Sequence, residues 1–291
     1  MELVELNKQL AENGELFLAD ISMETYLAHD SVSRSQISLL DKMTPKHFKF
    51  SRDNPSVRKQ TPDMLIGSAV HKYFFERDEF RQCYLTAPEL NLRKKADREE
   101  MEIFKADAAR IGQEVLTKEQ MAKVEAVGDA LHANKAVSSL VSGGVTERSI
   151  FRPYNKFTLK TRPDYYKEEC NTIIDLKTCK DVSPKGFLRS VIDYQYYVQD
   201  AYYVDAVAHF REAKPRFLIV AVEKEPPYES AIYELENSFQ MVGRATYIRA
   251  LALIQECMDK DQWPGYPDTA IDLRCPDWLW EGFKKQVRSE Y

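Results

Sequence analysis

The chain has 291 residues, 44% of them hydrophobic, which is enough apolar material for a sizeable core and excludes a disordered chain. With 46 acidic against 41 basic residues the net charge is -5, so a nucleic-acid partner would have to be met by a local basic face rather than by bulk attraction. Five dispersed cysteines, no uninterrupted apolar run of membrane-spanning length and no basic-then-apolar leader exclude a disulfide scaffold and a membrane-spanning protein, and lead us to expect a reduced, cytoplasmic setting.

In chain order, residues 1–60 read as a mostly helical region. Ser33-Arg34-Ser35-Gln36 has the S-x-x-Q form of a capping box, and Ile37, Leu39 and Leu40 follow it, so a short helix is expected from Ser33. The stretch from Lys42 to Phe50, extended by Arg52, Arg58 and Lys59, interleaves basic and aromatic residues. It fits a phosphate-contacting surface, with Lys46, Lys49, Arg58 and Lys59 as DNA contacts, or a solvated helix face with Phe48 and Phe50 turned inward. Residues 64–76 carry apolar side chains at helical spacing, and 97–138 read as two or more amphipathic helices broken by Ser142-Gly143-Gly144.

The period then changes. Residues 145–152, 157–166 and 172–177 are rich in β-branched and aromatic side chains and predict a three-stranded antiparallel meander. Residues 186–210 predict a helix, 216–222 and 228–234 two more strands, and 237–261 a long final helix. The tail from Trp263 is expected to pack on the core. The sum is an α/β fold, a central mixed β-sheet flanked by helices. It divides into a helical region over 1–60, a core over 61–262 and a tail over 263–291.

The sharpest chemical feature is Arg162-Pro163-Asp164 followed by Asp175-Leu176-Lys177 on the next strand. Side chains alternate along a strand, so Asp175 and Lys177 share one face while Ile174 and Leu176 anchor the other. Two carboxylates and an ammonium at one sheet edge suit a hard cation such as Mg²⁺ or Mn²⁺ next to a phosphate, with Lys177 orienting or deprotonating a water. The alternative is a surface ion pair on an edge strand. His71 lies one turn after Gly67 on an apolar helix, and it reads as a metal or phosphate ligand or as a core histidine. Glu147 reads as an added carboxylate or as an exposed strand charge. Gln199 and Tyr203, four apart on a helix, share a face that could hold a DNA backbone or the lysine, or belong to an aromatic core stripe.

In this order, Gly67-x-x-x-His71, Glu147, Pro163-Asp164, Asp175-Leu176-Lys177 and Gln199-x-x-x-Tyr203 resemble the PD-(D/E)XK nuclease superfamily, in particular its exonuclease VIII (RecE-like) branch of phage and prophage recombination exonucleases. The resemblance spans roughly residues 26 to 270. It implies a Mg²⁺-dependent exodeoxyribonuclease that digests linear double-stranded DNA from its ends and works beside a single-strand annealing protein as a ring-like homo-oligomer. His71, Asp164, Asp175, the Leu176 carbonyl and Glu147 would then hold the metal. Lys177 would serve the attacking water, Gln199 and Tyr203 would support the DNA backbone or the lysine, and Arg162 would contact DNA. The dispersed cysteines set the chain apart from relatives that carry an iron–sulfur cluster. Two other readings keep the same fold: a non-catalytic DNA-end-binding protein and a site-specific endonuclease.

Overall fold

The computed structural model describes residues 1–54 and 61–289, so Arg58 and Lys59 lie outside the described residues. Helix α1 (Leu3–Asn13) leads into strand β1 (Leu16–Ala19), and α2 (Met23–Ala28) starts on Ser22, whose Oγ accepts the Thr25 amide at 3.0 Å. Strand β2 (Val32–Ser33) passes directly into α3 (Arg34–Lys42), followed by α4 (Pro45–Asp53). The expected capping box is present, with Gln36 Oε1 accepting the Ser33 amide at 2.9 Å.

Helix α5 (Pro62–Phe75) carries His71, and α6 (Arg77–Cys83) follows it. The long helical stretch divides into α7 (Lys95–Arg110), α8 (Lys118–Ala133) and α9 (Lys135–Leu140). Strands β3 (Tyr84–Thr86) and β4 (Glu114–Leu116) pair in parallel across it. Neither was expected, because three residues are too few for an alternating pattern to show.

The expected meander forms, but as parts of two sheets. Its first strand breaks at Glu147, whose φ is 45°, into β5 (Val145–Thr146) and β6 (Ser149–Tyr154). The second breaks at Arg162-Pro163-Asp164 into β7 (Phe157–Thr161) and β8 (Tyr165–Lys167). Proline lacks the amide that would continue the ladder, and a positive φ turns the chain out of a strand, so both breaks have local causes. Strand β9 (Thr172–Cys179) remains whole. After it come α10 (Pro184–Asp193), α11 (Tyr196–Ala208), β10 (Arg216–Glu223), β11 (Ser230–Glu234), α12 (Asn237–Lys260) and α13 (Asp277–Ser289).

The main sheet has five strands in the order β11-β10-β9-β8-β5, mixed because β10 runs parallel to β9 while the other neighbours are antiparallel. The second has four in the order β1-β6-β7-β2. Within the region expected to be helical over 1–60, the described residues therefore include β1 and β2, which form both edges of this second sheet.

On one face of the main sheet, Ile174, Leu176, Leu218 and Val220 pack under Val70 and Phe74 of α5 and Val124 and Val127 of α8. On the other, Ile173, Phe217 and Ile219 pack against Phe187 of α10 and Val204 and Val207 of α11. Three layers result, with the sheet in the middle. Helices α10 and α11 are separate because Gln195 takes a left-handed conformation with φ 55°. Helix α3 clamps that corner: Arg34 Nη2 donates to the carbonyls of Tyr194 and Gln195 at 2.5 and 2.9 Å, and Gln195 Nε2 donates to Asp41 Oδ2 at 2.6 Å. Among the described residues no helix is long and apolar enough to cross a membrane. Among its described residues the tail packs on the core at its start, where Trp263 stacks on Phe48 with ring centroids 5.6 Å apart. Leu273, Trp278 and Trp280 are exposed, contrary to the packed tail expected.

Candidate functional site

The two strand breaks meet. The Glu147 amide donates to the Asp164 carbonyl at 3.1 Å, so the chain turns from one sheet to the other at adjacent points and leaves a cleft between them. The cleft comprises two cavities of 460 and 860 Å³, and Glu147, Arg162 and Asp164 line both. Arg34, Lys160, Gln199 and Tyr203 line the first, and His71, Lys72 and Glu76 line the second.

Asp164 Oδ2 accepts the Leu176 amide at 2.9 Å and lies 3.3 Å from His71 Nδ1. Asp175, on the opposite face of β9 from Leu176, is 1% exposed. Its Oδ1 accepts Gln199 Nε2 at 2.5 Å. Its Oδ2 lies 2.6 Å from Lys177 Nζ, close enough for an ion pair but misaligned for a hydrogen bond, so that buried oxygen has no hydrogen-bond partner. Lys177 Nζ sits 5.1 Å from the centroid of the Tyr196 ring. Glu147 is held through Arg162, whose Nη2 is 3.4 Å from its Oε2. The same guanidinium donates to the Ile21 carbonyl at 3.1 Å and to Ser149 Oγ at 3.0 Å, and so ties the seam together.

The electrostatics are unbalanced. Burial, and after it the charge of Asp175, raises the Asp164 carboxyl well above its ordinary range, against the pull of Lys177 and the Leu176 amide. Burial, and after it the Lys177 charge, lowers the His71 imidazole to about 4. His71 is therefore neutral near pH 7, with a ring nitrogen free of a proton. A neutral imidazole, the Asp164 carboxylate on the cleft wall and the buried Asp175 with its orphaned oxygen form a donor set that fits Mg²⁺ or Mn²⁺. Among the described residues, however, no three His, Cys, Asp or Glu side chains converge as a ready-made metal centre, because Asp175 is turned toward Lys177 and Gln199.

A proton NMR titration of the metal-free protein should find the His71 imidazole still neutral at pH 6, and an ordinary titration near 6.5 would contradict this geometry. The unfolded histidine takes a proton near 6.5 and folded His71 only near 4, so its contribution to stability is fully present above 6.5 and lost as pH falls between those values. Asp164 acts in the opposite sense: the folded carboxyl binds its proton more readily than the unfolded one, so acid relieves that repulsion.

The expected site residues do not all gather here. His71, Glu147, Arg162, Asp164, Asp175, Lys177, Gln199 and Tyr203 cluster at or beside the seam, with the Leu176 backbone next to His71. Lys46 and Lys49, on α4, are not among the residues lining the cleft, and Lys49 pairs with Asp53 at 2.6 Å. A Cβ at Gly67, one turn before His71, would meet only Thr178 Oγ1, at an ordinary 3.8 Å, so no close approach requires a glycine there.

Sequence reasoning missed Lys160, which is 4% exposed on β7. Its Nζ donates to the carbonyls of Tyr26, His29 and Leu27 at 2.6, 2.8 and 3.4 Å, closing the end of α2 against the cleft. Burial lowers this ammonium to about 8. A lysine alternating with Leu159 reads as solvent-facing, and only the second sheet buries it. Lys160→Met should lower stability by about 1–3 kcal/mol in urea unfolding, because it strands those carbonyls. An unchanged midpoint would show that they find other partners.

Among curated proteins none matches this sequence. A family profile described as a PDDEXK-like domain of unknown function matches residues 33–274. Among solved structures the chain is similar to a candidate exonuclease from Eubacterium rectale, with a TM-score of 0.64 and 15% identity over 88% of this chain and 96% of that chain, a likeness of fold. The crystal structure of SSO0001 aligns at a TM-score of 0.28 and 16% identity, over 66% of this chain and 87% of that one.

Proposed function

This chain belongs to the PDDEXK-like family matched over residues 33–274, and from that premise we propose that it is a metal-dependent nuclease, specifically an exodeoxyribonuclease that hydrolyses linear double-stranded DNA from its ends. The observation that carries the reading is the pair of carboxylates, Asp164 lining the cleft and Asp175 buried behind it, with Lys177 as the ammonium paired to Asp175. Two such charges beside a phosphate would repel DNA unless a cation intervened. We place the reaction in recombination, beside a single-strand annealing protein, on the motif order alone.

His71, Asp164, Asp175 and the Leu176 carbonyl would hold Mg²⁺, or Mn²⁺ in its place, with Glu147 adding charge. The ion supplies neutralisation of the phosphate and a more acidic water. The protein does the rest. Gln199 fixes the orientation of Asp175 through its amide. Lys177, once released from Asp175, places an ammonium beside the scissile phosphate and its attacking water. Burial holds the Tyr203 hydroxyl protonated, so it can donate to a phosphate oxygen from the cleft wall. Arg162 keeps Glu147 and Asp164 at the seam and offers charge to the DNA passing over it.

The test uses two substrates. With Mg²⁺, linear duplex should be degraded to acid-soluble nucleotides while covalently closed circular duplex survives, and a chelator should stop the reaction. Cleavage of the circle would make the protein an endonuclease. Binding to ends without hydrolysis would make it a non-catalytic DNA-binding protein.

A further inference from the structure

The cleft does not end at the seam. Its first cavity and an apolar groove of 370 Å³ on the outer side of α3 and α4 share Ser35, Gln36 and Ser51 as lining residues, so the two form one continuous trough. Leu39, Met43, His47 and Phe50 line the groove further on, and Met43 and Phe50 are exposed to 48% and 56%. Two positions separate Phe50 from Phe48, about 200° around a helix, so Phe48 stacks on Trp263 in the core while Phe50 faces outward.

Charge separates the two halves of the cleft. Arg34, Lys160 and Arg162 answer Glu147 and Asp164 in the first cavity. The second adds Asp20, Glu76, Glu79 and Glu114 to those carboxylates and has Lys72 and Arg148 in place of Arg34 and Lys160. A phosphate chain leaving the seam is therefore favoured on the side of the first cavity, which is the side that opens into the groove. In the groove the attraction is of another kind. Of the four cations in 42–53, three are engaged elsewhere: Lys49 pairs with Asp53 at 2.6 Å, Arg52 with Asp30 at 2.7 Å, and Lys42 Nζ donates to the Asp193 carbonyl at 2.7 Å. What remains is an exposed aromatic ring beside apolar side chains and hydroxyls. A duplex turns phosphates outward and hides its base faces, whereas an unpaired strand presents base faces that stack on aromatic rings. The lining thus selects an unpaired strand.

We propose that the trough carries the unpaired stretch of the strand being hydrolysed, with a base stacked on Phe50 between Met43 and His47. The inference rests on the nuclease reading for the identity of the strand. Phe50 itself does not line the first cavity and takes no part in the chemistry.

Fluorescence anisotropy with a short labelled single-stranded oligonucleotide and Mg²⁺ tests it, in an Asp175→Asn background so that the strand is preserved. Adding Phe50→Ala should weaken binding by about 10-fold or more, and Phe50→Trp should keep it, since any aromatic face serves. Competition by relaxed closed circular duplex, which offers no unpaired base, should be equal in all three proteins. With Asp175 intact, Phe50→Ala should raise KM for linear duplex by a similar factor and leave kcat unchanged. Circular dichroism checks folding, which the loss of an exposed ring should not disturb. If the parent cleaves DNA but Phe50→Ala binds the strand as tightly, the trough is overturned and the nuclease reading stands. If the parent cleaves nothing yet Phe50→Ala loses strand affinity, the nuclease reading fails and the trough stays as a site for an unpaired strand. A Phe50→Trp variant as weak as Phe50→Ala, or an equal loss of affinity for the circle, overturns the stacking. A lower sedimenting mass of Phe50→Ala with unchanged strand affinity gives the groove to a second copy and overturns the proposal as well.

Discussion

Asp175→Asn should lower DNA hydrolysis by about 10²–10³-fold or more while leaving the fold intact. Asparagine has nearly the same volume, so the packing of β9 against α11 is kept, and its side-chain oxygen can still accept the Gln199 amide that now donates to Asp175. What is lost is charge. One of the two carboxylates that could hold a cation disappears, and Lys177 loses its partner. These losses act oppositely on stability. Removing the Asp175 charge relieves the repulsion that helps raise Asp164, while the now unpaired Lys177 is less well solvated than in the pair. The melting temperature should therefore move by only a few degrees, about what 1 kcal/mol produces in a domain of this size. A variant that folds and still degrades DNA at the parent rate would remove Asp175 from the reaction. The Lys177→Met variant should behave similarly in activity, because Lys177 is the ammonium paired with Asp175.

The second large effect is expected where two helices cross. Helix α12 crosses the first turn of α11 at Gly243, where a Cβ would lie 2.1 Å from the Tyr197 carbonyl oxygen and 2.7 Å from its carbon. Backbone cannot step aside as a side chain can. Gly243→Ala must therefore push the two helices apart, at a cost of about 1–3 kcal/mol or more of stability, read by urea or thermal unfolding. Tyr197 stands two residues before Gln199, so the displaced turn is the one that orients Asp175, and activity should fall with stability. Gly67→Ala is the control, since its Cβ would find only an ordinary contact with Thr178 and alanine favours a helix interior over glycine by about 1 kcal/mol. If Gly243→Ala unfolds at the same midpoint as the parent, the close crossing of α11 and α12 is wrong.

Much of the site was readable from residue spacing because it depends on short-range geometry. Period two puts Asp175 and Lys177 on one face of β9 and Leu176 on the other, and the structure finds Asp175 paired with Lys177 while Leu176 lies in the core under α5. Period 3.6 places Gln199 and Tyr203 on one side of α11, and both line the cleft. The proline of Pro163-Asp164 was visible, but its consequence was not. It ends one sheet and opens another, and together with Glu147 it makes the seam where the site lies. Strands β1 and β2 escaped notice because four and two residues carry too little pattern, and their pairing with β6 and β7 is non-local. The roles of Lys160 and Arg34 were hidden for the same reason. Each acts on backbone carbonyls more than 100 positions away in the chain, a relation no local pattern encodes.

The most direct test of the account is calorimetric titration of the metal-free protein with Mn²⁺, beside Asp164→Asn and Asp175→Asn. The seam's two carboxylates predict saturable binding by the parent protein that either substitution weakens by at least tenfold. Equal affinity in all three proteins, or no binding by a folded parent, would contradict a cation held between Asp164 and Asp175.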